Sequence, residues 1–174
     1  MSDQSSVTPE TKPSNASSLE GRKRKFLVIL DGTPESEVAL HFASRRAKHT
    51  KGGVTLLAIL EKSTFQHWLG VDALMKEEAR QEAEAFLHKQ AARVNEIAGV
   101  VPELIIREGK KIEQIQMLLA EDAALSIMIL GAGTGRDGPG PLVAMIAGGA
   151  DGGFAIPVTI VPGSLTEEEI HDLA

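Results

Sequence analysis

The 174-residue chain has no cysteine and no tyrosine, and aromatic side chains make up only 3% of it. Lack of cysteine excludes a disulfide framework, a thiolate metal site, an iron–sulfur cluster and a cysteine nucleophile. Five Phe and the single Trp68 are too few rings for a stacking platform for single-stranded nucleic acid. No apolar run approaches the ~18 to 20 residues of a membrane span, and the N-terminus lacks the apolar core of a secretory signal. His41, His49, His67, His88 and His171 include no pair at a chelating helical spacing, so no metal site is supported. The Gly-Lys-Ser/Thr of a P-loop is missing, as is a Gly-x-Ser-x-Gly elbow. Formal net charge is −6, and because residues 1–25 hold five basic and three acidic groups, the body is more acidic than the whole. Such a surface repels phosphate backbones, which disfavours nucleic acid as a partner. A cytoplasmic protein with no membrane association is expected.

What remains is an ordinary single domain, 43% hydrophobic and long enough to bury a sizeable core. Residues 1–24 are expected to be a disordered tail, because Ser, Thr, Pro and Asn offer too little burial to offset ordering entropy. The Arg22-Lys23-Arg24-Lys25 run that ends it reads as solvated charge leading into a strand. Strands are then expected at 26–30, 54–60, 103–107, 125–130 and 157–161, the third a weaker one suited to an edge. Helices are expected after Thr33-Pro34-Glu35, over Asp72 to Ala98, and around Ile112, Ile115, Leu118 and Leu119. Gly52-Gly53 should stop the first helix, and Gly131 should directly follow the fourth strand. Thr166 and Glu169 form a capping-box pattern in the acidic extension 164–174. Alternating strands and helices imply an α/β fold, an open parallel sheet with helices on both faces. The domain should span 25–163.

In such a sheet ligands bind beyond the carboxyl ends of the strands, where strand order reverses. The glycines point to one of these exits: nine of 17 lie between Gly131 and Gly153. Gly131, Gly133, Gly135, Gly138 and Gly140 offer backbone angles that can turn successive N–H groups toward an anion, with a helix start near Pro141, Leu142 and Val143. Arg136 would add a charge-assisted bond. The alternative is a flexible connection, with Gly148 to Gly153 serving packing or helix termination. Phe65-Gln66-His67-Trp68 suits either a lid or a packing anchor. Asp137 is thin support for phosphate hydrolysis, and no catalytic residue is assigned.

These elements resemble the universal stress proteins over roughly residues 25–163. The resemblance rests on Leu-Asp-Gly-Thr-Pro-Glu-Ser at 30–36, Thr-Leu-Leu-Ala-Ile at 55–59, Ile-Met-Ile-Leu-Gly at 127–131 and Ile-Pro-Val-Thr-Ile-Val-Pro-Gly at 156–163. It implies a five-stranded sheet in the order 3-2-1-4-5, of the adenine-nucleotide alpha-hydrolase-like type. It also implies a homodimer paired through the last strand, Pro157–Val161, and a regulatory or protective role in stress survival rather than turnover. Some members bind ATP through Gly-x2-Gly-x9-Gly-Ser/Thr after strand four. Laid without gaps from Gly131, that pattern falls on Gly131, Thr134, Ala144 and Met145; a second register takes Gly135, Gly138, Gly148 and Gly149. Neither register ends on a hydroxyl. Asp31 matches a nucleotide-contacting Asp after strand one, its alternative being an Asx turn. Ile59 matches an aliphatic position lining an adenine slot, its alternative being plain core. ATP or AMP is therefore the candidate ligand, set against an interaction module that binds no nucleotide.

Overall fold

The computed structural model describes residues 23–61, 71–149 and 153–174. The polar segment before Lys23 and the Phe65-Gln66-His67-Trp68 stretch lie outside them. Five strands, β1 (Lys25–Ile29), β2 (Gly53–Leu60), β3 (Glu103–Glu108), β4 (Leu125–Ala132) and β5 (Val158–Pro162), pair in parallel in the order β3-β2-β1-β4-β5. Five helices connect or follow them: α1 (Pro34–Thr50), α2 (Val71–Ala98), α3 (Lys111–Glu121), α4 (Pro141–Ala147) and α5 (Glu167–Leu173). The expected architecture and strand order are both present.

A central parallel strand must be apolar toward both faces, and β1 shows why its run is unbroken. Phe26 and Val28, with Leu30 just beyond, enter a core with Leu40, Ala43, Leu56, Leu87 and Val94, under α1 and α2. Leu27 and Ile29 enter the opposite core with Leu57, Ile115, Met128 and Val143, under α3 and α4. At the amino edge of the sheet, Lys25 Nζ donates at 2.8 Å to both Glu103 and Asp122. This clamp joins the central strand to an edge strand and to the end of α3.

Two local expectations are corrected. Helix α1 is ended by Lys51, which adopts the left-handed conformation (φ 55°) and donates its N–H to Ala47 O. Gly52 shares in the stop, its N–H donating to Ala47 O at 2.9 Å, and meets a further need, since a Cβ there would lie 2.9 Å from Arg24 O; Gly53 already belongs to β2. Strand β4 also runs two residues past its expected end, because Gly131 and Ala132 pair with Val161 and Pro162. Sheet pairing overrides the weak strand preference of Gly and Ala.

Candidate functional site

The reversal of strand order lies between β1 and β4, and the segments leaving those strands meet α1 and α4 there. The start of α1 is built by its own residues. Thr33 caps it by accepting from Ser36 N, and Pro34 occupies the first turn, where its missing N–H costs nothing. Asp31 accepts from Thr33 N at 3.1 Å and from Thr33 Oγ1 at 2.7 Å. The Asx-turn role of Asp31 is thus present, and its carboxylate also lines a small cavity of about 70 Å³ at the strand crossing, with Thr33, Gly131, Gly140 and Leu142.

Gly131 lies where the strand gives way to the expected anion loop. It sits within β4, and a Cβ on it would lie 2.1 Å from Glu35 O and 2.8 Å from Ser36 N. The residue is glycine so that the first turn of α1 can cross the strand. Gly163 meets the same turn, its added Cβ falling 2.8 Å from Glu35 Cβ, and one on Gly133 would lie 2.6 Å from Gly138 O. Of the five loop glycines, only Gly138 (φ 82°) and Gly140 (φ 92°) take left-handed conformations. The expected series of turned N–H groups is therefore reduced to the loop's second half, where Gly138 N donates to Gly135 O at 3.3 Å. Thr134, Gly135 and Arg136 are exposed on its outer side, as is Asp137.

Beyond the loop, Gly140 caps α4 and Pro141 begins it. Val143 is buried in the lower core, with Leu142 and Ile59 half-buried against the same cluster. Leu142 and Pro141 also form one wall of a larger cleft of about 380 Å³, completed by Glu61, Lys110, Lys111, Ile112 and Met145 among others. The two spaces share Pro141 and Leu142, so they adjoin along the carboxyl edge of the sheet. Lys111 Nζ lies 3.8 Å from Glu61 Oε2, and Lys110 donates to Glu113 at 3.0 Å. Sequence reasoning pointed to the glycine-rich exit of β4 and missed these lysines. Their signal is position: they follow the β3 exit directly, at the first turn of α3.

The structure therefore brings Asp31, Gly131, Gly140, Leu142 and Val143 around one small cavity. It leaves Thr134, Gly135 and Arg136 on an exposed loop and Ile59 as a core-packed strand residue. Among the described residues, no group of three or more His, Cys, Asp or Glu could hold a metal ion, and no helix is long and apolar enough to cross a membrane.

The family model of the universal stress proteins matches residues 23–145. The chain belongs to the universal stress protein family. Its fold is similar to that of universal stress protein UspA from Lactobacillus plantarum, at 17% identity and a TM-score of 0.63, covering 81% of this chain and 99% of that one. A universal stress protein family member from Burkholderia pseudomallei aligns at 18% identity and a TM-score of 0.61, covering 79% and 95%. A universal stress protein solved in complex with cAMP aligns at 15% identity and a TM-score of 0.59, covering 81% and 98%. Comparison with curated proteins yields no match. This universal stress protein carries Ala144 and Met145 within α4, and Met145 contributes its side chain to the larger cleft. Glycine enters only after that helix, at Gly148 and Gly149, where the left-handed Gly149 (φ 67°) follows its C-cap. Termination, one of the readings of these later glycines, is what they do.

Proposed function

We propose that this chain is a regulatory or protective protein of the stress response, cytoplasmic and without turnover, that senses an adenine nucleotide such as ATP or AMP. The supporting observation is the adjoining pair of spaces at the strand-order reversal. The larger, at about 380 Å³, falls in the range of small-molecule pockets, and the smaller brings Asp31 and the loop glycines to its edge. The base would occupy the cleft walled by Leu142 and Met145, with Asp31 accepting from a hydroxyl or amino group. Phosphates would meet the N–H of Gly140 and the ammonium of Lys111. A relative of the same fold is described as a complex with cAMP, which makes an adenine ring a reasonable first ligand. Ordering of the 133–140 loop would then alter a partner surface. A homodimer through β5 completes the reading: β5 is an edge strand of the sheet and Ile160 on it is 44% exposed.

A second reading, an interaction module without nucleotide, draws on Ala144 and Met145, which supply no hydroxyl, and on Gly131, which is consumed by packing against α1. Calorimetry separates the two. The first reading expects ATP or AMP to bind the purified chain, and Asp31→Ala to weaken that binding about tenfold, as for a lost charge-assisted hydrogen bond. No co-purified nucleotide by mass spectrometry and no heat at millimolar ATP, AMP or cAMP would leave the second.

A further inference from the structure

The sheet ends at β3, on the side away from β4 and β5. Among the described residues β3 pairs only with β2, and its register there runs without a shift. Gly109, one residue beyond the strand, donates its N–H to Leu60 O at 3.0 Å. By the alternation of a strand, Ile105 and Arg107 therefore turn their backbone groups toward β2, and Leu104, Ile106 and Glu108 turn theirs outward. Unpaired edges are templates for another strand, and proteins commonly blunt them with lysine, proline or a bulge. Here the middle of the edge is an unbroken Leu104-Ile105-Ile106.

The flank of this edge is apolar as well. Helix α3 lies beside it: Gln114 Nε2 is 3.1 Å from where a Cβ of Gly109 would stand, and Glu121 accepts from Arg107 Nη1 at 3.1 Å. Met117 falls between Gln114 and Glu121 on the same face of α3 and is 51% exposed. Val101, just before the strand, is 87% exposed. Large apolar side chains left in water beside an unpaired strand mark an interaction surface. The charges then decide what it fits. Glu103 and Arg107 stand two residues either side of Ile105, hence on one face of the strand. Their bonds within the chain use Glu103 Oε2, toward Lys25 and Thr55, and both Nη atoms of Arg107. Glu103 Oε1 and Arg107 Nε are left for a facing strand.

We propose that β3 pairs with β3 of a second copy of this chain, antiparallel, about a two-fold axis at Ile105. In this register Leu104 lies opposite Ile106 on either side of the axis, as hydrogen-bonded pairs that each exchange two backbone bonds. Ile105 meets its own copy, and Glu103 faces Arg107 twice, once from each copy. The neighbouring registers are poorer. Centring on Leu104 sets Pro102, which has no N–H, opposite Ile106; centring on Ile106 sets Glu103 opposite Gly109 and Arg107 opposite Ile105. Centring on Glu103 or on Arg107 brings like charges together. The interface is isologous and joins two five-stranded sheets into one, with Met117 of each copy beside the Ile105 pair. It is independent of pairing through β5, at the other edge of the sheet.

The test uses the full chain, which has no cysteine of its own. Ile105→Cys places two thiols across a non-hydrogen-bonded pair, where Cα atoms stand about 4.5 Å apart, within disulfide range. Treated with diamide, it should form a covalent dimer about tenfold faster than Val101→Cys, because association makes the reaction intramolecular. Val101 is the more exposed position, but in this register it faces Gly109 rather than its own copy. Sedimentation gives a second readout. Ile160→Asp, which blocks pairing through β5, should still self-associate as concentration rises, and adding Arg107→Glu should abolish this. Cross-linking decides the matter even where Arg107→Glu proves unstable. Cross-linking of Ile105→Cys no faster than that of Val101→Cys overturns the assignment. So does an Ile160→Asp chain that stays monomeric at every concentration, which leaves the edge to a partner other than a second copy. Failure of the β5 pairing or of nucleotide binding changes neither readout.

Discussion

Single residues in this molecule are fixed most tightly where a strand and a helix start cross. Gly131 illustrates it, because the atoms that a Cβ would strike are backbone and cannot rotate away. Gly131→Ala should therefore destabilise the fold by roughly 2 to 3 kcal/mol, the overpacking range, read as a lower urea midpoint with an unchanged slope. Gly135→Ala meets open space at a φ outside the left-handed region and should be neutral or slightly stabilising. Equal loss in both variants would contradict the crossing as the reason for glycine at 131. Much at this scale was legible in the sequence: the Asp31-Thr33-Pro34 start of α1 carries its own cap chemistry in adjacent residues. The role of Gly131 was not, because it depends on Glu35, a residue far away in the chain. A run of glycines looks the same whether it frees a loop or admits a helix.

Among the helices described, α5 at seven residues is short, yet it has the most complete local code. Thr166 Oγ1 accepts from Glu169 N, and Glu169 returns a carboxylate to Thr166 N at 2.8 Å. Those backbone and hydroxyl donors, on Thr166, hold the Glu169 carboxyl below its ordinary value. Three acids in the first turn and His171 in the last agree with the helix dipole. Thr166→Ala should cost about 1 kcal/mol, as N-cap losses do, with faster amide exchange at Ile170 and little change in β1. Exchange at Ile170 as slow as in the wild-type chain would show that Ile170 packing alone secures the helix. The boundaries of β4 were less legible than this cap. Two small residues carry no strand signal, and only their pairing with Val161 and Pro162 extends the strand.

The whole molecule is held at two ends by ion pairs of opposite pH behaviour. The Arg93 hydrogen bond keeps the Glu37 carboxyl below its ordinary value, against the upward push of burial. Its contribution is present above the ordinary carboxylate range and is lost as pH falls through the depressed value. Hydrogen bonds from Lys25 to Asp122 and Glu103 raise the lysine, outweighing desolvation. That contribution is complete below the ordinary lysine value and is lost as pH climbs through the raised one. Stability against urea should fall at both extremes. Glu37→Gln should flatten the acid limb alone and Lys25→Met the alkaline limb alone; an unchanged limb in either variant removes that pair as its cause. At this scale the fold class followed from alternating apolar runs, and strand order followed from family resemblance. The cleft beside Lys110 and Lys111 did not, because it arises where three separate segments meet: the β2 exit, the start of α3, and α4.

The register of the central strand also carries a consequence for synthesis. Phe26 pairs with Val54 on one side, but on the other with Ile127. As the chain leaves the ribosome, β1, β2 and β3 are available to one another long before β4 exists. Until then β1 is itself an edge, presenting a row of unpaired amides flanked by two apolar faces. The segment that later becomes the most protected strand of the native protein is thus the one most exposed to mispairing with a neighbouring nascent chain.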